Sequence, residues 1–148
     1  MGNRTLSRPR SYYRSWHPIT TRWMDNDVYG HVNNVVYYSF FDTAVNSWLV
    51  RKNLLDINRG QLIGLVVETG CTYSKPVVFP QNLQAGIAVA RIGTTSVRYE
   101  IGLFLDGAAE PAAQGFFVHV YVDRQTRRPT PLDPHWRQVL AEIAVQPD

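Results

Sequence analysis

Ten consecutive positions, Asp25-Asn26-Asp27-Val28-Tyr29-Gly30-His31-Val32-Asn33-Asn34, bring together two carboxylates, an imidazole, a glycine and carboxamides. A nearly charge-free stretch with helical spacing follows at once, from Val35 to Leu49. A carboxylate placed beside a reactive carbonyl acts as a nucleophile or a general base. The first turn of a helix offers backbone N–H groups that lack intrahelical partners, and these stabilise charge developing on an oxygen. A carboxylate at the mouth of an apolar helix therefore has the parts for acyl transfer.

The helix that must hold this loop is expected from about Asn34 to Lys52. Val36, Tyr37, Phe40, Phe41, Ala44, Val45, Trp48 and Leu49 recur at spacings of three and four, so one wide face is apolar. Asn33 or Asn34 is its expected N-cap, and Arg51 and Lys52 stand where the helix dipole favours cations. A short extended segment is expected from Ile19 to Met24. Beyond Gly60 the pattern changes to strands: Leu62 to Val78, then Asn82 to Ile92 with Leu83, Ala85, Ile87 and Val89 on one side. Next, Val97, Tyr99, Ile101, Leu103 and Leu105 alternate with Ser96, Arg98, Glu100 and Gly102, the period of a half-buried strand. Asp106-Gly107 signals a turn, and Phe116, Val118, Val120 and Val122 make a last strand. Three prolines then precede a short helix around His135 to Ile143. One long helix followed by consecutive strands gives an α+β domain with an antiparallel sheet.

The 148 residues, 45% hydrophobic and 18% charged, describe one ordinary folded domain. A net charge of +3, scattered along the chain, is too weak a bias for nucleic acid. One cysteine, Cys71, excludes an internal disulfide framework and suits a reducing compartment, so a cytoplasmic protein is expected. No apolar stretch is long enough to span a bilayer. Residues 1–16 are basic, polar and without periodicity, which predicts a flexible arm ahead of a single domain at 17–148.

Thr21 to Asp27 leading into Gly30-His31-Val32-Asn33-Asn34, then Tyr37, Thr72-Tyr73-Ser74-Lys75-Pro76, Ser96 and Asp123, resemble the hotdog-fold thioesterases. The likeness is to the 4-hydroxybenzoyl-CoA thioesterase-like family, nearest in motif to its long-chain acyl-CoA thioesterase branch. The resemblance implies a hotdog fold, a five-stranded antiparallel sheet wrapped around one long central helix. It implies an acyl-CoA thioesterase that releases a free carboxylic acid and CoA, with no cofactor because CoA is part of the substrate. Asp27 falls on the catalytic carboxylate, and the backbone N–H near Asn34 falls where the thioester carbonyl is polarised. Protomers of such proteins pair edge to edge, so a homodimer or homotetramer with the active site at the dimer interface is expected. Many relatives carry Gly-Asp after the second strand, where this chain has Phe79-Pro80-Gln81-Asn82.

Other residues divide between chemistry and structure. Asp25, offset from the motif, is expected to organise the loop. His31 has three open roles: orienting Asp27, contacting substrate, or bonding a backbone carbonyl. Asn33 and Asn34 cap the helix or position substrate, and Gly30 supplies backbone freedom or close approach. Tyr37, Glu68 and Tyr73 are candidates for lining a cleft, and Lys75, Arg98 and Arg124 for meeting CoA phosphates. His17, His119 and His135 lack the spacing of a metal site, so no metal is expected. Cys71 reads as a small packed side chain. Asp27 and His31 also suggest a hotdog 2-enoyl-CoA hydratase, although such enzymes space the pair by five with Asn-Pro between. A non-catalytic acyl-CoA- or acyl-carrier-binding module is the remaining alternative.

Overall fold

The computed structural model describes residues 7–145. Strands β1 (Ser15–Thr20), β2 (Leu62–Tyr73), β3 (Asn82–Ile92), β4 (Ser96–Leu105) and β5 (Ala113–Asp123) form one sheet in the order β1-β3-β4-β5-β2, with every pairing antiparallel. Helix α1 (Val36–Arg51) packs on one face of it, here the inner face, and α2 (Pro134–Ala141) closes one end. This is the hotdog arrangement. Among the described residues no helix is long and apolar enough to cross a membrane.

The helix buries the face its spacing prescribes. Tyr37, Phe40, Phe41, Ala44, Val45, Trp48 and Leu49 are all sequestered. Opposite them lie Leu83, Ala85, Ile87 and Val89 from β3 and Val97, Tyr99, Ile101 and Leu103 from β4. Each large side chain removed from water in this way contributes about 1.5–3 kcal/mol. In β5 the face toward the helix is Phe117, His119 and Tyr121, while Phe116, Val118 and Val120 are only half-buried. His119 belongs to a buried polar cluster: Tyr99 Oη and Tyr121 Oη lie 2.7 Å apart, and His119 Nδ1 is 3.4 Å from Tyr121 Oη. Its Nε2 is buried with no hydrogen-bond partner among the described residues. Burial lowers the imidazole pKa to about 4, against a smaller opposing pull from Asp42. The α2 N-terminus is set by Asp133, which accepts the Trp136 N–H at 2.9 Å, and by Pro134 in the first turn.

The basic arm is where the structure departs most from the sequence reading. Residues 1–6 lie outside the described residues, but from Arg8 onward the chain is tied down on the outer face of the sheet. A 3-10 turn at Arg10–Tyr12 leads directly into β1, which begins at Ser15. Tyr13 is only 5% exposed, because its ring covers Gly86 and Gly102, which face each other across β3 and β4. A Cβ at Gly102 would stand 2.6 Å from the Tyr13 ring, so only glycine admits this contact. Trp16, Phe104, Ala88 and Val145 complete a second small core there. The Arg8 N–H donates to Gln114 Oε1 at 2.7 Å, Arg10 donates to Gln84 Oε1 and to the Ala108 carbonyl, and Tyr12 Oη donates to Glu100 at 2.5 Å. The arginines therefore anchor this segment. The expected strand over Ile19–Met24 shifts correspondingly to Ser15–Thr20, and Trp23–Asp25 becomes a 3-10 turn.

Candidate active site

The loop between β1 and α1 is built by its own polar side chains. Asp25 is 1% exposed, and its carboxylate accepts the Arg22 N–H at 2.7 Å and the Arg22 guanidinium at 2.8 and 3.1 Å. Its carbonyl accepts the Asn33 N–H at 2.9 Å, so this residue fastens both ends of the loop. Between those ends the Asp27 N–H donates to the His31 carbonyl and the Gly30 N–H to the Asp27 carbonyl, each at 3.0 Å. Gly30 turns the chain at φ +83 with open space around it, a conformation that L side chains rarely adopt. This turn requires the backbone freedom of glycine.

Asp27 is half-buried and oriented at both oxygens. Oδ1 accepts the Tyr29 N–H at 2.9 Å, and Oδ2 accepts Asn33 Nδ2 at 3.4 Å. The same Asn33 carboxamide turns its Oδ1 to the Val35 N–H at 2.9 Å, and the Asn33 carbonyl accepts the Val36 N–H at 2.9 Å. The N-cap of α1 is Val35, without a side-chain bond, so neither expected cap takes that position; Asn33 instead braces the turn that leads into the helix. One carboxamide thus joins the Asp27 carboxylate to the turn that leads into α1. The neighbouring Asn34 N–H donates to no acceptor among the described residues, and the Asn34 carbonyl accepts Tyr73 Oη at 2.8 Å.

In front of Asn34 lies a cleft of about 340 Å³ lined by His31, Val32, Asn34, Tyr37, Tyr73 and Lys75, with Ser74 and Pro76 at its edge. Tyr37 and Tyr73 meet edge to face, with ring centroids 4.9 Å apart. Burial raises the pKa of both phenols, so they stay protonated at neutral pH. Burial also pushes the nearby Cys71 thiol up to about 11, which makes it a poor thiolate nucleophile. Neither Asp27 nor Asn33 lines this cleft; the Asp27 carboxylate is bonded to Asn33, the residue before the lining Asn34. His31 meets Asp27 through its backbone carbonyl and is one of the residues lining the cleft.

Three expected site residues stand elsewhere. Glu68 pairs with Val118 on the outer face, because a bulge between Val66 and Glu68 inserts one residue into β2 and reverses its alternation. Arg98 is on that outer face too, 3.0 Å from Glu100 and stacked 3.9 Å over the Phe116 ring. Arg124 is at the far end of β2, where its guanidinium donates to the Ile57 and Gly60 carbonyls at 2.8 and 3.3 Å. Of the three candidate phosphate contacts only Lys75 borders the cleft. Among the described residues no group of three or more His, Cys, Asp and Glu converges as a metal site would require.

Sequence reasoning missed the struts beneath the loop. The Val32 N–H donates to the Val77 carbonyl at 2.7 Å, the Phe79 N–H to Asn26 Oδ1 at 3.1 Å, and Thr21 Oγ1 to the Gln81 carbonyl at 2.5 Å. Trp23 packs edge-on against Phe79 at 5.9 Å. The Phe79-Pro80-Gln81-Asn82 departure, with its cis Phe79–Pro80 bond, is therefore a brace for the loop. No local signal foretold these contacts, which join residues about fifty positions apart.

Comparison with known proteins supports the same architecture. A family model described as "Thioesterase-like superfamily" matches residues 21–140. The structure of the PA5185 protein from Pseudomonas aeruginosa strain PAO1 is 50% identical, with a TM-score of 0.90 over 94% of this chain and 97% of that one. Slr0204 of Synechocystis, a 1,4-dihydroxy-2-naphthoyl-CoA thioesterase, has a TM-score of 0.76 at 17% identity over 85% of this chain and 94% of that one, a likeness of fold. The YsmA protein of Bacillus subtilis (strain 168), itself uncharacterized, is 24% identical over 79% of this chain and 78% of its own length.

Proposed function

The chain belongs to the thioesterase-like superfamily, and from that premise we propose that it hydrolyses an acyl-CoA thioester to the free carboxylic acid and CoA. Asp27 acts on the thioester carbonyl carbon, as nucleophile or as the base that activates water. The Asn34 N–H receives the oxyanion. The carbon–sulfur bond then breaks, and CoA leaves as a thiolate that takes up the proton given up by the attacking water; on the nucleophilic route that water hydrolyses the acyl–Asp27 anhydride to free acid and Asp27. A thiolate is a good leaving group, so a strong general acid is not needed. The observation that carries this reading is the Asn33 carboxamide, which bonds both the Asp27 carboxylate and the Val35 N–H at the entry to α1, next to Asn34 in the cleft wall. Hydration of a 2-enoyl thioester would call for an Asp–His side-chain pair, whereas His31 meets Asp27 through its backbone carbonyl.

The reading includes a homodimer. β2 is an edge strand of 12 residues whose Leu65, Val66 and Val67 are 42%, 47% and 61% exposed. A long apolar edge like this is normally covered by another strand. Pairing of two β2 strands would extend the sheet and bring a partner next to Tyr73, at the wall of the cleft.

The test is thiol release from a panel of short, long and aromatic acyl-CoAs by wild type and by Asp27→Asn, with folding checked by circular dichroism. Wild type is expected to turn over at least one class. The variant should lose about 10²-fold or more in kcat, the scale of a lost general base. Equal turnover by the two proteins refutes the assignment of Asp27.

A further inference from the structure

The Asn34 carbonyl lies in the turn ahead of α1, one residue before the N-cap Val35, and so outside the helical bonding that begins with the Tyr38 N–H on the Val35 carbonyl at 3.2 Å. Its partner is Tyr73 Oη, 2.8 Å away on a different element. Three bonds thereby fix the two peptides on either side of Asn34 Cα. The Asn33 carbonyl accepts the Val36 N–H and holds the peptide that carries the Asn34 N–H. The following peptide is held at its N–H by Asn33 Oδ1 and at its carbonyl by Tyr73. Two of these ties are made by Asn33 itself, within the turn. The third comes from edge strand β2 and is the only one that sets the turn relative to the sheet.

We infer that Tyr73 is a positioning residue: its hydroxyl aims the Asn34 N–H at the reacting carbonyl and registers the oxyanion turn against β2. Tyr73 touches that turn, and the Cys71 thiol, by its hydroxyl and packs against Tyr37 by its ring, so loss of the hydroxyl is separable from loss of the ring. Its burial-raised phenol stays a neutral donor across the working pH range, which fits a fixed hydrogen bond better than proton transfer. An N–H that drifts by a fraction of an ångström loses much of its effect on a transition state, while ground-state binding is spared. This inference rests on the thioesterase reading.

Tyr73→Phe deletes the hydroxyl and keeps the ring. Acyl-CoA hydrolysis by the variant should show kcat reduced about tenfold with KM within twofold of wild type, and its melting temperature should stay within a few degrees. The infrared stretch of a thioester carbonyl bound to Asp27→Asn should lie below its frequency in solution, and adding Tyr73→Phe should reverse part of that displacement. An unchanged kcat, a rise in KM alone, or an unaltered carbonyl stretch overturns the inference while leaving hydrolysis intact. A variant that no longer folds overturns it too, by making the hydroxyl a structural tie. A wild-type chain that releases no thiol from any acyl-CoA removes the thioesterase reading and this inference together.

Discussion

Lowering the pH from 7 to 4 should destabilise the wild-type fold by about 3 kcal/mol more than it destabilises a His119→Leu variant. His119 is 3% exposed on the inner face of β5, ringed by Phe117, Tyr99 and Tyr121. Burial holds its pKa near 4 in the folded chain, against 6.5 for a free imidazole. Between those values the unfolded chain binds a proton that the folded chain refuses, so acid pulls the equilibrium toward unfolding. The contribution of a neutral His119 is complete above about pH 6.5, declines as the pH falls, and is gone near pH 4. A gap of about 2.5 pH units at 1.36 kcal/mol per unit gives the figure of about 3 kcal/mol. Leucine has nearly the same volume and no titrating group. It also removes the unpartnered Nε2, whose burial costs about 1–3 kcal/mol, so the variant should be close to wild type at pH 7. Urea unfolding followed by the fluorescence of the buried Trp48 and Trp136, at one protein concentration and at half-unit steps of pH, measures both curves. Titrations of carboxylates other than Asp42, which feels His119, cancel in the difference. Stability curves that run parallel down to pH 4 would refute the argument.

Replacing Tyr13 by alanine should cost about 3 kcal/mol, as other buried aromatic truncations do, and lower the melting temperature by several degrees; an unchanged melt would mean that the 7–16 segment is not anchored. Lysines at Val66 and Val67 should shift the protein toward monomer in sedimentation, and thiol release should fall with the dimer fraction. Lys75→Ala should raise KM for acyl-CoA about tenfold and leave kcat within a few-fold, the pattern of a lost phosphate contact beside the cleft. If KM does not move, the phosphates are held elsewhere.

Much of this protein is legible without coordinates because its signals are local. The apolar spacing from Val36 to Leu49 specified a buried helix, since residues three and four apart share a helix face whatever lies beyond. Alternation in β3 and β4 specified which side chains enter the core, and the crowding of Asp25, Asp27, Gly30, Asn33 and Asn34 marked the loop where polar chemistry meets the helix. What stayed hidden depends on strand register. In β5 the more hydrophobic set, Phe116, Val118 and Val120, lies on the outer face, and the polar-tipped His119 and Tyr121 face the helix because Tyr99 across the strand pair supplies a hydroxyl partner. One bulged residue in β2 carried Glu68 away from the helix side that simple alternation assigns to it. The basic segment before β1 reads as free because its seat is the facing pair Gly86 and Gly102, which become neighbours only when β3 and β4 align. The tie from Tyr73 to Asn34 spans 39 positions and depends on how an edge strand passes a helix end. Sequence alone determined the elements and the residue types of the site, because each rests on contacts within a few positions. Only the tertiary structure decided which cation borders the cleft and which groups hold the turn at Asn34, because those follow from strand parity and distant packing.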